Sequence, residues 1–400
     1  MIPTFKQHLL STFFLILALL ALFWPALLHP DTILFPTFSP FSDVVVIHWP
    51  KANLLAQSWQ SGAGLPLWTP LILSGMPLAA NQLAMLFYPL AWLFLILPPE
   101  LVFNLLFIFH LLLGGLGVYF LLTKGYGLSP AAALPGSLTF ALNGKWLAHV
   151  AAGHVSMVGA IGWLPWAVLG TTMALKPPGS RGDHKPALFA GMNWVIVAAV
   201  ALAMQIATHT LLVIYTVYLL AALVVWRMAN EELRIAAKRS EWPRSVATKR
   251  GKERRAAKRS KWQIAIHSFA DSPTRSFADS PTRPFAHSLI RLFAILFLAG
   301  LLGAAQLLPL AELAQFSNRS LSLSQAAEFA VTPAQLLVGL LLPSTRSGHE
   351  LIIYLGLAPL LLAPFGFSRS NRWSWFYGGL FILSVLFALG PSTPVHGLFY

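Results

Sequence analysis

The chain has 400 residues, of which 56% are apolar and 10% are charged, and its formal net charge is +14. A soluble globular protein usually carries about 25% charged residues, so this composition excludes a soluble globule and predicts an all-α membrane protein with several crossings. Cysteine is absent, which excludes disulfides and cysteine nucleophiles, and the basic residues lie between apolar runs, which favours a membrane topology over a nucleic-acid partner.

The first apolar run, residues 9–28, has about the 20 residues that one bilayer crossing needs. Lys6 precedes it and predicts a cytoplasmic N-terminus by the positive-inside rule. A cleaved signal peptide has a shorter core and a small-residue cleavage site. We therefore interpret this run as an uncleaved first helix.

A large outer loop is expected at 30–99, because its prolines are too frequent for a spanning helix. Within it, residues 50–60 have the spacing of a short amphipathic helix, which begins with Pro50 and ends before Gly62. The apolar stretch 83–97 is too short for a full crossing, which indicates an interfacial or re-entrant segment.

Apolar runs and basic anchors predict eight more crossings, for about nine transmembrane helices in all. They are placed at 101–122, 128–142, 155–175, two between 185 and 227 that meet in an outer turn at 208–210, 292–310, 351–367 and 373–389. An outer turn is expected at 143–154 and a second outer loop at 311–350. His110 falls inside a helix, where we interpret it as a structural residue that faces the bundle interior. With this layout only four Lys or Arg residues lie outside, which are Lys51, Lys145, Arg319 and Arg346.

A basic low-complexity insert at 227–291 separates an N-terminal bundle, 1–226, from C-terminal helices at 292–400. The sequence SFADSPTR occurs in it at 268–275 and again at 276–283. Such repeats cannot bury a core, so we expect a disordered cytoplasmic segment. It could bind anionic lipid or RNA, or it could be an expansion that this loop tolerates without a function.

Asp43 follows the first crossing and is one of few acids outside the basic insert. It could act as a general base that takes a proton from an acceptor hydroxyl. Alternatively, Ser42 or Asp43 could cap a short helix, since both residue types suit that position. His48 and Lys51 follow closely in the chain, and they could hold an anionic phosphate or contact lipid headgroups.

Further substrate-binding candidates are expected on the same outer side. His154 could donate to a phosphate oxygen or anchor a helix at the interface, and Arg346 could bind the same phosphate. Glu350 could bind a divalent metal together with Asp43, or it could favour a helix N-terminus. Trp68 could stack on a sugar, although aromatic belts explain most interfacial tryptophans.

Several motifs of the first outer loop resemble the YfhO-like family of bacterial membrane proteins. They are FSD at 41–43, HWP at 48–50, GLPLWTP at 64–70, SGMPLA at 74–79 and the run 82–89. Later residues are also similar to that family, at 139–140, 143–144, 153–154, 164–166, 306–309, 354–356 and 389–394. The resemblance covers most of the chain except the basic insert.

YfhO-like proteins resemble glycosyltransferases of the GT-C type. This resemblance implies a polyprenyl-phosphate-linked sugar as donor, an extracytoplasmic glycan acceptor, and a multi-pass protein of the bacterial cytoplasmic membrane. It implies that Asp43 is the catalytic acid of the first outer loop. Ser42 stands where such enzymes often have a second acid, so the resemblance does not decide whether a divalent metal is used. Relatives continue with more helices, which implies further residues beyond Tyr400.

Three functions are compatible with these features. The first is an inverting membrane glycosyltransferase in which Asp43 activates the acceptor, while His154, Arg346 or Lys51 stabilises the leaving lipid phosphate. The second is a non-catalytic transporter or flippase of lipid-linked sugars, which requires a polar path through the bundle. The third is an inactive scaffold that recruits a partner through the basic insert.

Overall fold

The computed structural model describes residues 5–33, 42–72, 74–176, 191–257, 282–317, 322, 325, 330–342, 353–367 and 372–398. The predicted site residues Arg346 and Glu350 lie outside the described residues. Contacts divide the chain into two units, one formed by Met1–Tyr218 with Ile295–Tyr400 and the other by Leu219–Ala294. All residues of the site described below belong to the first unit.

The protein is mostly helical, as predicted, and several of its helices suit a membrane. Among the described residues, four helices are long and apolar enough to cross a bilayer. They are α1 (Phe5–Leu28), α3 (Pro99–Phe120, continued by a π-helical turn at Leu121–Gly125), α6 (Val155–Ala174) and the segment Met192–Glu231 of α7 (Met192–Ala257). A fifth span results if the bent pair Ala286–Leu302 and Ala304–Gln315 crosses as one. The predicted number of nine crossings is not confirmed.

Three predicted features of the bundle differ from the structure. Two predicted crossings correspond to short helices, and one predicted turn is itself a short helix. The predicted helix 128–142 is α4 (Pro130–Ala141), whose 12 residues extend only about 18 Å, less than the ~30 Å hydrocarbon core. The predicted outer turn at 143–154 is instead a helix, α5 (Gly144–Ala152). In the described part of the predicted helix 351–367, residues 353–367, the helical segments are α11 (Leu357–Leu362) and a 3-10 turn at Ala363–Gly366.

Two predicted membrane segments are bent. In α7 the backbone is non-helical at His209, with φ −153° and ψ 88°, which is the position predicted for an outer turn. The predicted helix 292–310 is broken at Gly303 into α8 (Thr282–Leu302) and α9 (Ala304–Gln315), whose axes differ by 80°. The remaining helices are α10 (Pro333–Leu341), α12 (Arg372–Ala388) and α13 (Pro394–Leu398).

The helix α3 is the centre of the bundle and packs against α1, α4 and α6. Its aromatic residues Phe103 and Phe107 are fully buried. Small residues allow α6 to approach closely, since a Cβ atom on Gly162 would lie 2.6 Å from the carbonyl oxygen of His110. Close packing at small residues is a common way for helices to associate in membranes.

The first loop folds back onto the bundle through short elements. The predicted amphipathic helix is confirmed as α2 (Trp49–Gln60), and Gly62 follows it with a φ of +78°. The two-residue strands β1 (Trp68–Thr69) and β2 (Met76–Pro77) pair antiparallel. The apolar stretch 83–97 contains a 3-10 helix, Pro89–Leu95, in place of a crossing.

Side-chain amides tie this loop to the helices. The Asn104 side chain on α3 donates to the Thr32 carbonyl at 2.7 Å, and the Gln306 side chain on α9 donates to the Ala79 carbonyl at 3.1 Å. Both amides are buried, where a hydrogen bond to a backbone carbonyl satisfies two polar groups at once. The loop therefore has a defined position over the bundle.

Candidate functional site

Asp43 begins the helical segment that leads into α2. Residues Val44–His48 form a π-helical turn, in which the Trp49 amide donates to the Val44 carbonyl. The next residue, Pro50, has no amide proton to donate, and π-helical turns are frequent at functional sites. The Asp43 side chain makes no capping hydrogen bond, so its carboxylate is not used to stabilise the start of this helix.

His154 is brought to Asp43 by the turn that ends α5. Gly153 has a φ of +86°, and a Cβ atom at this position would lie 2.5 Å from the Val44 amide nitrogen and 3.1 Å from the Asp43 nitrogen. Only a residue without a side chain permits this approach of two backbones. The glycine therefore sets the His154 ring against the start of the Asp43 helical segment.

A chain of two contacts links Asp43 to a pair of histidines. His154 Nε2 lies 3.2 Å from Asp43 Oδ2, and His154 Nδ1 lies 2.8 Å from His149 Nδ1. The two imidazole rings are 5.0 Å apart with an interplanar angle of 32°. His149 is 3% exposed, whereas the side chains of His154 and Asp43 are 19% and 38% exposed. The chain thus runs from the protein interior to an accessible carboxylate.

His48 lies in the same helical segment and is buried. Its Nδ1 is 3.1 Å from the Leu83 carbonyl, so Nδ1 carries the proton that it donates. Burial and, to a smaller extent, the charge of Lys51 lower the pKa of His48 to about 3, while the hydrogen bond to Leu83 opposes the shift. His48 is therefore neutral at physiological pH and fixes the helical segment to the 82–84 turn.

Lys51 is 7% exposed, yet the described part of the chain provides no carboxylate within ion-pair distance and no recorded hydrogen-bond acceptor for its ammonium group. Burial lowers its pKa to about 8, and the carboxylate of Asp43 partly opposes that shift. Its Nζ is not among the fully buried polar atoms that lack a partner, so the ammonium group remains accessible at the end of a buried stem. An accessible ammonium with no carboxylate partner among the described residues can bind an anion that comes from outside the chain.

We call Asp43, His48, Lys51, His149 and His154 the Asp43 cluster. It contains four of the predicted site residues, namely Asp43, His48, Lys51 and His154. Trp68 is elsewhere in the loop: its indole lies against Gly75, where a Cβ atom would be 2.7 Å from the ring, and it is 58% exposed. Among the described contacts, none joins Trp68 to Asp43 or His154.

The described residues contain no group of three or more His, Asp or Glu side chains that is placed to hold a metal ion. The predicted metal pair of Asp43 with Glu350 involves a residue outside the described ranges. Asp43 Oδ2 instead faces an imidazole Nε2. The chemistry that these residues offer is acid–base chemistry at a carboxylate beside a cationic amine.

A second histidine-centred network lies inside the bundle, and we call its residues Tyr88, His110 and Trp163 the Tyr88 cluster. His110 Nδ1 donates to the Leu106 carbonyl, so its Nε2 accepts from the Tyr88 hydroxyl at 2.5 Å. Trp163 Nε1 donates to the same hydroxyl at 3.1 Å. His110 is 1% exposed and faces the bundle interior, as predicted.

Sequence reasoning missed two features of the site. His149 was not among the predicted site residues, although its ring contacts His154. Gly153 was included in a family-like motif without a physical role. A signal was present, because two histidines five residues apart flank a glycine at the end of a short helix, and a glycine in that position reverses the chain direction.

Comparisons with protein families, with curated proteins and with solved structures found no match for this chain.

Proposed function

We propose that the protein is an integral-membrane glycosyltransferase that moves a sugar from a polyprenyl-phosphate donor to an extracytoplasmic glycan acceptor. The single observation that carries this proposal is the placement of an accessible carboxylate, Asp43, beside His154 and near Lys51, whose stem is buried and whose ammonium has no carboxylate partner among the described residues. The YfhO-like motifs of the first loop supply the donor and acceptor classes. The protein would lie in the bacterial cytoplasmic membrane with its N-terminus inside.

The reaction proceeds as a displacement at the anomeric carbon. The acceptor hydroxyl loses its proton to Asp43 as its oxygen bonds to the anomeric carbon, and a carboxylate within hydrogen-bond reach of that hydroxyl is what this step requires. The bond between the anomeric carbon and the phosphate oxygen breaks, and the lipid phosphate leaves with the electron pair. One base and one displacement invert the configuration of the sugar.

Lys51 serves the leaving phosphate. An ammonium group that is already partly desolvated interacts more strongly with an anion than a fully hydrated one and needs less reorganisation during the reaction. The sequence predicted that His154 donates to the phosphate or anchors a helix. In the structure its Nε2 faces Asp43 and its Nδ1 faces His149, so we assign it a different role. A phosphate hydrogen bond from His154 would break one of these contacts, so His154 supports the base in this proposal.

The test is transfer from a radiolabelled polyprenyl-phosphate sugar by the purified protein in proteoliposomes. Asp43→Asn keeps the shape of the side chain and removes the base, so we expect turnover to fall by about 10³-fold, the middle of the range for general-base catalysis. Asp31→Asn is the matched control, since Asp31 is an exposed acid after α1 and should not affect turnover.

The stereochemistry of the product gives a second criterion. An inverted anomeric centre supports a single displacement with Asp43 as base. A product with retained configuration, or equal turnover in the wild type and Asp43→Asn, would refute the proposed role of Asp43. Donor movement across the bilayer without any transfer would favour the transporter function instead.

A further inference from the structure

Both ring nitrogens of His154 are engaged, and their partners differ in what they can donate. Nε2 faces a carboxylate oxygen of Asp43, and a carboxylate offers only lone pairs. Nε2 must therefore carry the proton of the neutral imidazole. The other nitrogen, Nδ1, then has a lone pair and requires a donor, and His149 Nδ1 is 2.8 Å away.

For a neutral His154 these requirements define one arrangement of protons along the chain of contacts, whereas an imidazolium would donate from both nitrogens and reverse the contact with His149. In the neutral arrangement His149 Nδ1–H donates to His154 Nδ1, and His154 Nε2–H donates to Asp43 Oδ2. If the His154 proton were on Nδ1, a lone pair on Nε2 would face the lone pairs of the carboxylate at 3.2 Å, which is repulsive. The tautomer of His154 thus decides whether Asp43 is attracted or repelled.

His149 is held in a way that suits this task. It lies in the last turn of α5, whose first turn is capped by the Asn143 side chain accepting from the Lys145 amide at 2.8 Å. Gly153 ends the same helix and packs on the Asp43 segment. His149 and His154 are therefore held by one short helix and the turn after it. The same turn packs on the segment that carries the Asp43 carboxylate.

We propose that His149 is a positioning residue, whose Nδ1–H group selects the His154 tautomer that donates to Asp43. This inference rests on the proposed function, in which Asp43 is the base. The His154 proton holds Oδ2, so Oδ1 is directed to the acceptor and receives its hydroxyl proton. No proton moves along the histidines. In hydrolase triads a carboxylate orients the histidine base, whereas here a histidine pair orients the carboxylate.

The tautomer of His154 can be measured directly by ¹⁵N NMR of histidine-labelled protein in lipid bilayers. The signals of His154 are identified by their loss in His154→Gln. In the wild type we expect a protonated Nε2 and an unprotonated Nδ1. The matched variants are His149→Asn and His149→Asp, which have the same shape but differ in that the carboxylate cannot donate.

His149→Asn keeps a donor for His154 Nδ1 and should preserve the wild-type tautomer. His149→Asp offers only an acceptor and should move the proton of His154 to Nδ1. His149→Phe removes the donor without adding a charge, so both tautomers should be present. An unchanged His154 tautomer in His149→Asp and His149→Phe would overturn the proposal without reference to any enzymatic activity.

Turnover provides the second readout. We expect His149→Asn to stay within about threefold of the wild type and His149→Asp to lose about 10- to 100-fold in kcat, less than the roughly 10⁴-fold loss of a triad with the wrong tautomer. KM for the donor should not change, since His149 does not touch the phosphate in this proposal. His29→Asn, at an exposed turn after α1, is the control.

The failure of this inference differs from the failure of the proposed function. If Asp43→Asn is inactive while all three His149 variants retain full turnover and the same tautomer, only the role of His149 is refuted. If Asp43→Asn retains full turnover, the proposed function fails, and the NMR result still decides whether His149 sets the tautomer of His154.

Discussion

The Tyr88 cluster and the Asp43 cluster are both built around histidines, but they differ in how completely their polar groups are satisfied. In the Tyr88 cluster, the hydroxyl of Tyr88 accepts from Trp163 and donates to His110, whose other nitrogen donates to a backbone carbonyl. Tyr88 and His110 are 0% and 1% exposed. Each of these donors has an acceptor, and Tyr88 and His110 are closed to solvent, while Trp163 is partly buried.

The Asp43 cluster is neither fully paired among the described residues nor fully buried. Its carboxylate is 38% exposed, and Lys51 is buried with no anion among the described residues to pair with it. A satisfied network rigidifies a core, whereas a partly satisfied one reduces stability unless a ligand completes it. The difference supports the proposal that the Asp43 cluster carries the chemistry, while the satisfied Tyr88 cluster stabilises the bundle.

The largest effect is expected from a substitution that separates the Gly153 backbone from the backbone of Asp43 and Val44. Gly153→Ala adds a Cβ atom that would lie 2.5 Å from the Val44 nitrogen, and a backbone cannot move aside as a flexible side chain can. We expect a loss of about 3 kcal/mol in the free energy of unfolding and a loss of turnover, because the His154–Asp43 contact opens.

Gly62→Ala is the matched control for this change. Gly62 also has a positive φ, +78°, but no atom lies within 4 Å of the Cβ position. It should lose only about 1 kcal/mol from backbone strain and keep its turnover. Equal effects of the two substitutions on turnover would show that the approach of Gly153 to Asp43 has no importance for the site.

Replacing Lys51 should separate stability from function. Lys51→Met removes the charge and keeps the apolar stem, so we expect KM for the donor to rise by about 10- to 100-fold, as for a lost charge-assisted hydrogen bond. Stability should increase, because a partly desolvated ammonium with no carboxylate partner among the described residues is replaced by a thioether. A thermal unfolding temperature lower than that of the wild type would contradict the assignment of Lys51 as an anion site.

The pH dependence of donor binding follows from the same residue. The pKa of Lys51 is lowered to about 8, so its charge is present below this pH and is lost as pH rises through it. We expect KM for the donor to rise above pH 8 in the wild type. Lys51→Arg should keep its charge and show no such rise, and parallel profiles for the two proteins would exclude Lys51 as the cause.

A smaller effect at neutral pH concerns the stability contributed by His48. Its pKa falls from 6.5 to about 3 on folding, so the unfolded chain binds the proton more readily between these values. The stability is fully present above pH 6.5 and is lost as pH falls toward 3, by roughly 1 kcal/mol per pH unit. His48→Asn keeps a donor for the Leu83 carbonyl and should be less sensitive to acid between pH 7 and 5.

The elements that the sequence predicted well are those with a strong local signal. The helix at 50–60 has a proline at its start, a glycine after its end and an apolar face, and the structure confirms it. Apolar length predicted α1, α3 and α6 within a few residues. In each case the information lies within about 20 consecutive residues.

The failures arise where tertiary packing decides. Hydropathy cannot distinguish a crossing from a helix that bends by 80° at Gly303, since both are apolar over the same length. It also gave no indication that Gly153 approaches the Asp43 backbone or that His149 contacts His154. These are contacts between segments about a hundred residues apart or across a turn, and a single sequence carries no pairwise information about them.

The most direct test of the contrast between the two clusters compares Asp43→Asn with Tyr88→Phe in one preparation, measuring sugar transfer and thermal unfolding for each. Tyr88→Phe leaves His110 Nε2 and Trp163 Nε1 without a partner in the bundle, which costs about 1–3 kcal/mol for each group. We predict that Tyr88→Phe lowers the unfolding temperature and keeps its turnover per folded protein, whereas Asp43→Asn loses turnover and keeps its unfolding temperature. The reverse pattern, with turnover lost in Tyr88→Phe and retained in Asp43→Asn, would contradict the assignment of the chemistry to the Asp43 cluster.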